Sequence, residues 1–228
     1  MIWLFGAGGL GGVSKAGADP RWLDGAFSIQ KDARVRVPGT VPLWNCKSLA
    51  ACEAPPPDGF RWALYSQDST SENSQWEMTN IAAAHERACA AVHAHGLRVL
   101  TFPANDIVWK TPPVPGRDQY AAFLSRGIVG AAARHADLVG VQSQGLSTDP
   151  DRYRRYLSAA AEQAQAARPG IGLLGGLATE RLGTEIPAAQ MYAAYLATKD
   201  ICAGYWLNVN HRPERVAEFL ALVNSGDS

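Results

Sequence analysis

Apolar and polar positions along this chain alternate with two periods. Residues 2–5, Ile-Trp-Leu-Phe, form an unbroken apolar run closed by glycine, as in a strand buried on both faces. From residue 60 onward, short apolar runs trade places with longer stretches of helical period. Residues 60–65 form an apolar run broken only by Arg61 and end in polar Ser66, Gln67 and Asp68. Residues 79–96 carry Ile81, Ala84, Ala88 and Val92 at helical spacing, with Thr79 or Asn80 as N-cap and Gly96 as the stop. The same reading predicts strands over 97–102, 138–142, 171–177 and 201–209. Helices are predicted over 117–135, from Asp149-Pro150 to 168, from Pro187 to 199, and after Arg212-Pro213. Residues 105–116, rich in proline, read as a long functional loop.

Repeated strand–helix units call for a parallel sheet, closed as a barrel or open and doubly wound. Further strand candidates at 2–5, 26–29 and 34–37 bring the count to seven or eight, which favours closure. The expected fold is therefore α/β, a single (β/α)8-type (TIM-like) barrel over residues 1–228. It should be small or irregular in its first third, because residues 38–59 hold five prolines and no clear period.

Composition narrows the function classes. The chain has 228 residues, 47% hydrophobic and 18% charged, with 21 basic against 21 acidic side chains. No Lys/Arg cluster could neutralise a run of phosphates, so nucleic acid is not an expected partner. No apolar stretch reaches the roughly 20 residues of a membrane span, so no membrane partner is expected either. The expected partner is a small-molecule or carbohydrate ligand. The apolar start lacks Lys or Arg and is diluted by glycine, which argues against a leader ending at Ala16-Gly17-Ala18; the expected location is the cytoplasm rather than outside the cell. Cys46 and Cys52 bracket a short loop and would suit a local disulfide under oxidising conditions, whereas Cys89 falls on an apolar helix face.

Gly6, Gly8 and Gly11 satisfy G-x-G-x-x-G after the first strand. A dinucleotide needs a helix there to hold its pyrophosphate, and Gly12, Gly17 and Asp19-Pro20 are poor helix material. No cofactor is expected. His85, Cys89 and His93 recur every fourth residue on one predicted helix, but the body of that helix lies outside the barrel. They read as core and surface residues, and no metal is expected. No G-x-S-x-G elbow marks a serine nucleophile.

In parallel α/β folds the site lies beyond the carboxyl ends of the strands. Those ends carry Tyr65 to Asp68, Asn105-Asp106, Gln142 to Gln144, Thr179 to Arg181 and Asn208 to His211. Strand parity sharpens two of them. Gly140, Gln142 and Gln144 share a face opposite Val139 and Val141. Gly204, Trp206, Asn208 and Asn210 share a face opposite Tyr205 and Leu207. The polar faces should point into the barrel. Acid–base candidates at this rim are Asp68, Asp106 and Glu180, since a carboxylate pair can cleave a glycosidic bond. Candidate substrate-binding residues are Tyr65, Trp109, Gln142, Gln144, Trp206 and Asn208, amides and rings suited to a polar organic ligand.

The same residues carry a resemblance. Tyr65, Trp76 and Thr79, the Ala94-His95-Gly96 turn, Gln142 and Gln144, Gly176, Leu177 and Thr179, and Gly204 to Asn208 resemble motifs of an actinobacterial (β/α)-barrel protein family. The resemblance spans residues 60–210. It implies a barrel distantly like glycoside hydrolases in shape, without fixing a reaction. Ser66 stands where that pattern has Asp, and Asn80 where it has Pro; if that Asp is catalytic in the family, the change implies altered or lost activity. The function expected from these readings together is a metal-independent barrel enzyme acting on a polar, carbohydrate-like substrate by carboxylate chemistry. The alternatives are a cyclase, lyase or isomerase of specialised metabolism with an aromatic-lined pocket, and a non-catalytic small-molecule-binding barrel.

Overall fold

The computed structural model describes residues 1–6, 8–31, 37–68, 72–109, 118–209 and 211–226, with the Trp109 side chain left aside. In chain order the elements are β1 (Ile2–Phe5), α1 (Gly9–Lys15), β2 (Phe27–Gln30), β3 (Val41–Cys46), α2 (Leu49–Glu53), β4 (Trp62–Gln67), α3 (Gln75–Thr79), α4 (Ile81–Ala94) and β5 (Arg98–Pro103). They continue with α5 (Gln119–Ser125), α6 (Ile128–Ala133), β6 (Leu138–Gly140), α7 (Pro150–Ala167), β7 (Gly172–Ala178), β8 (Glu180–Arg181), β9 (Thr184–Glu185), α8 (Ala188–Leu196), β10 (Gly204–Asn208) and α9 (Pro213–Gly226). All strands but β8 and β9 are parallel and close into a barrel in the order β1-β10-β7-β6-β5-β4-β3-β2. β8 and β9 form a separate antiparallel hairpin. No described helix is long and apolar enough to cross a membrane.

Strand parity divides the core in two. Leu4, Phe27, Leu43, Leu64, Leu100, Phe102, Leu138 and Leu174 fill the barrel interior. Trp3, Phe5, Tyr65, Val139, Tyr205 and Leu207 point the other way, into the layer between sheet and helices. The faces expected for 138–142 and 201–209 are the faces observed. The seam between β1 and β10 depends on Gly204: a Cβ there would overlap the Ile2 carbonyl.

Three expectations need correction. The third strand is Val41–Cys46, inside the stretch read as irregular; most of the 34–37 candidate lies outside the described residues. A helix does follow β1, because Gly8 adopts a left-handed φ of 78° and turns the chain into α1 despite its glycines. With α1 in place, a missing helix no longer counts against a dinucleotide at this end of β1. The helix predicted over 117–135 is two helices, α5 and α6, broken at Gly127 with φ 64°.

The four cysteines are buried free thiols. His85 and Cys89 are buried on α4, while His93 reaches Asp137 at 2.9 Å. The three therefore do not converge.

Candidate functional site

Every predicted rim position with a described side chain lies within the last residues of a barrel strand or just beyond its carboxyl end, but only some face one space. A cavity of about 320 Å³ opens there. Its apolar wall is Leu4, Ile29, Leu64, Phe102 and Ala104, with Trp206 from β10. Asn45, Ser66 and Gln142 add polar groups, and Lys47, Asp68 and Glu72 add charges at the rim. Of the predicted residues, Asp68, Gln142 and Trp206 thus come together.

The barrel's inner glycines shape this space. The Phe102 ring leans over Gly140, where any Cβ would overlap it. Phe102 meets Trp206 edge-to-face, with centroids 5.0 Å apart and planes at 86°. Next to it, the Gln144 amide lies against Gly176, its Cδ 2.6 Å from where a Cβ would stand. Gln144 is therefore at the mouth without lining the cavity. The Ser143 hydroxyl accepts from the Gly176 N–H at 2.7 Å, and Asn105 Nδ2 donates to the Gln142 carbonyl at 3.2 Å. These bonds fix the segment after β6 that presents Gln142.

The loop carrying Asp68 is held from behind. The Asp68 N–H donates to Asn73 Oδ1 at 3.0 Å, and Asn73 Nδ2 donates to Glu77 Oε1 at 3.0 Å. The buried Glu77 carboxylate also receives the Leu49 N–H at 2.7 Å, the Ser74 N–H at 2.8 Å and the Tyr65 hydroxyl at 3.0 Å. Burial alone would raise its pKa, but the Ser74, Asn73 and Leu49 donors outweigh it and hold the carboxyl below its usual range. Burial, followed by the neighbouring Glu77 charge, pushes the Tyr65 phenol up, so it stays a donor. Tyr65 is fully buried on the helix side of β4 and does not reach the cavity.

The remaining predicted residues go elsewhere. Asp106 lies in the 3-10 turn Asn105–Trp109, outside the cavity wall. Glu180 begins the hairpin and faces Arg212 at 3.8 Å, with Glu185 at 3.5 Å from the same guanidinium. Asn208 lines a neighbouring groove. The Trp109 side chain and Asn210 lie outside what is described. Sequence reasoning placed Ser66 at the rim without choosing it as a site residue, and missed Asn45, Lys47 and Glu72. Parity along β4 would have found Ser66 beside Leu64 and Asp68, and a recognised β3 would have brought Asn45; Lys47 and Glu72 sit on loops without a periodic signal.

Two polar atoms of the cavity's residues, Asn45 Oδ1 and Trp206 Nε1, are buried with no hydrogen-bond partner among the described residues. Buried polar groups are nearly always paired, so these are uncommon.

No family model matches the chain. No curated protein matches it in sequence either. Among solved structures, triosephosphate isomerase from Bartonella henselae is similar over 98% of this chain and 98% of its own, with a TM-score of 0.55 at 9% identity. A citrate lyase from Burkholderia xenovorans is similar over 99% of this chain and 82% of its own, with a TM-score of 0.50 at 9% identity. A glucosidase from Croceicoccus marinus covers 74% of this chain and 41% of its own at a TM-score of 0.47 and 12% identity, too distant to carry an argument. The first two likenesses show the fold alone: a TIM-like α/β barrel of eight parallel strands closed within a layer of helices.

Proposed function

We propose that this barrel is an enzyme that acts on a small organic substrate in the mouth cavity by carboxylate acid–base chemistry, with Asp68 as the acting group. The observation that carries this reading is the convergence of Asp68, Gln142 and Trp206 on one space at the carboxyl ends of the strands, where barrel enzymes place their chemistry. The buried network behind Asp68 supports it, because a general acid or base needs a fixed position. The unpaired Asn45 Oδ1 and Trp206 Nε1 support it too, as groups that a ligand's donor and acceptor would satisfy once the side chains adjust.

The two cavity carboxylates, Asp68 and Glu72, stand on the same loop after β4. Glycosidic cleavage uses a pair flanking the bond, whereas a single carboxylate can take a proton from one carbon of a substrate and return it to a neighbouring atom, as isomerisation requires. The shared loop and the apolar wall favour the second chemistry. The Trp206 indole with the Asn45 and Gln142 amides still suits a sugar, and keeps glycoside cleavage as the rival.

Wild type and Asp68→Asn should be screened against 4-nitrophenyl glycosides, and against small carbonyl compounds for solvent-deuterium incorporation. Removing a general acid or base lowers turnover by about 10²–10⁴-fold. Turnover by wild type that survives intact in Asp68→Asn sinks the reading. Ligand-induced thermal stabilisation without turnover of any compound marks a binding protein instead.

A further inference from the structure

Beside the mouth cavity lies a groove of about 400 Å³ that the acid–base reading does not use. Its described walls are Gly6, Gly8, Gly9 and Gly12 from early in the chain and Asn208, Val209, His211 and Pro213 from late in it. Trp206 lines both spaces, so the two meet at this residue. Their chemistry differs. The cavity sets an apolar wall opposite charged rim side chains. The groove, also lined by Leu207, Val209 and Pro213, offers glycine main chain, a carboxamide and an imidazole, with no charged carboxylate, lysine or arginine among the described residues.

The glycines of the groove do not all have the same reason to be glycine. A Cβ on Gly9 would stand 3.0 Å from a Val209 methyl, and one on Gly12 3.2 Å from Pro213, so both serve helix packing. Gly8 needs its left-handed φ. Gly6 has no left-handed φ, and among the described residues nothing beyond its chain neighbours stands within 4 Å of a Cβ placed there. Nothing described in the fold requires glycine at that position; its missing side chain leaves the groove open. His211, also in the groove wall, holds a left-handed φ of 65°, a region that histidine tolerates better than most side chains.

We propose that this groove is a second lobe of the substrate site, receiving an oxygen-rich group (a carboxylate, a phosphate or sugar hydroxyls) while an apolar ring occupies the mouth cavity. The inference rests on the mouth cavity being the reaction site. The substrate is then a two-part molecule lying across Trp206. Asn208 and His211 supply N–H donors to oxygen acceptors, and Gly6 lets the polar group approach the main chain. The cavity alone lies at the lower end of the range for ligand pockets, about 300–1,000 Å³, and the two lobes together lie well within it.

The test uses phenol as the one-part probe, with phenyl phosphate and phenyl β-glucoside as two-part probes. Each is titrated while the Trp206 indole N–H is followed by NMR, its signal assigned through Trp206→Phe. In the wild type, one two-part probe should bind at least ~10-fold tighter than phenol, as linked binding groups do. The phosphate gains if the lobe takes anions, the glucoside if it takes hydroxyls. Gly6→Leu, with folding checked by its melting temperature, should bring that probe down to the affinity of phenol. Gly11→Ala, on α1 and outside the groove wall, should keep the gain. A gain retained in folded Gly6→Leu, or no gain for either two-part probe, overturns the second lobe while leaving the cavity reading standing. Phenol that leaves the Trp206 signal unmoved overturns the cavity reading, and the lobe with it.

Discussion

His85 gives the fold an acid limit that can be worked out in advance. Its ring is fully buried on α4, edge-on to Tyr65 with centroids 5.1 Å apart, and neither nitrogen has a partner among the described residues. Burial drives its pKa down to about 3, against the opposing pull of the Glu77 carboxylate. In the unfolded chain the same imidazole takes up a proton near 6.5. Between these values the unfolded state binds the extra proton, so stability is full above pH ~6.5 and falls as pH drops. From pH 8 to pH 5 the loss amounts to about 2 kcal/mol, with a limiting slope of about 1.4 kcal/mol per pH unit. For a domain of this size that is about 4–8 °C in melting temperature. Glu77, whose pKa is depressed, adds its own loss only as pH falls below the ordinary carboxylate value of 4.5, so the window from pH 8 to 5 reports the histidine. Thermal and urea unfolding of wild type and His85→Phe across that window is the assay. Phe keeps a ring against Tyr65 and removes two unpaired nitrogens, so its stability should be nearly flat with pH and no lower at pH 8. An acid slope in His85→Phe equal to that of the wild type would refute the reasoning.

Three other changes test the placement of side chains. Leu157→Ala, fully buried on α7 behind β7, should lower stability by about 2–5 kcal/mol in denaturant titrations while phenol binding at the mouth stays unchanged. Gly204→Ala should prevent the barrel seam from closing, seen as lost cooperative melting by circular dichroism; a wild-type melting curve contradicts the β1–β10 register. Tyr65→Phe deletes the hydrogen bond to the ionised Glu77 carboxylate and should cost about 1.5–3 kcal/mol of stability with KM unchanged. A raised KM would return Tyr65 to the substrate.

The barrel was legible where a strand's apolar run stood between helices of clear period. β1 was bounded to the residue, and parity gave the inward faces of β6 and β10. β3 was hidden because Pro42 lacks a ladder donor and further prolines surround the segment; the barrel accepts it with Pro42 buried opposite Ser28. α1 was hidden by glycines, whose low helix propensity is overridden by packing of Gly9 and Gly12 against Val209 and Pro213. The rim acids were chosen for following strand ends, a criterion blind to direction. Asp68 continues the inward alternation of Leu64 and Ser66, whereas Tyr65 has outward parity. Glu180 opens a hairpin whose ionic partners on Arg212 come from a distant part of the chain.

The depth of the mouth cavity is set by a ring rather than by the backbone. Phe102 can lean across the barrel only because β6 offers Gly140 beneath it. A smaller side chain at 102 enlarges the cavity, and a methyl group at 140 overlaps the ring and forces it aside. The range of ligand sizes this scaffold can admit is therefore open to single-residue variation, and a lineage that carries it can move between substrates without refolding its sheet.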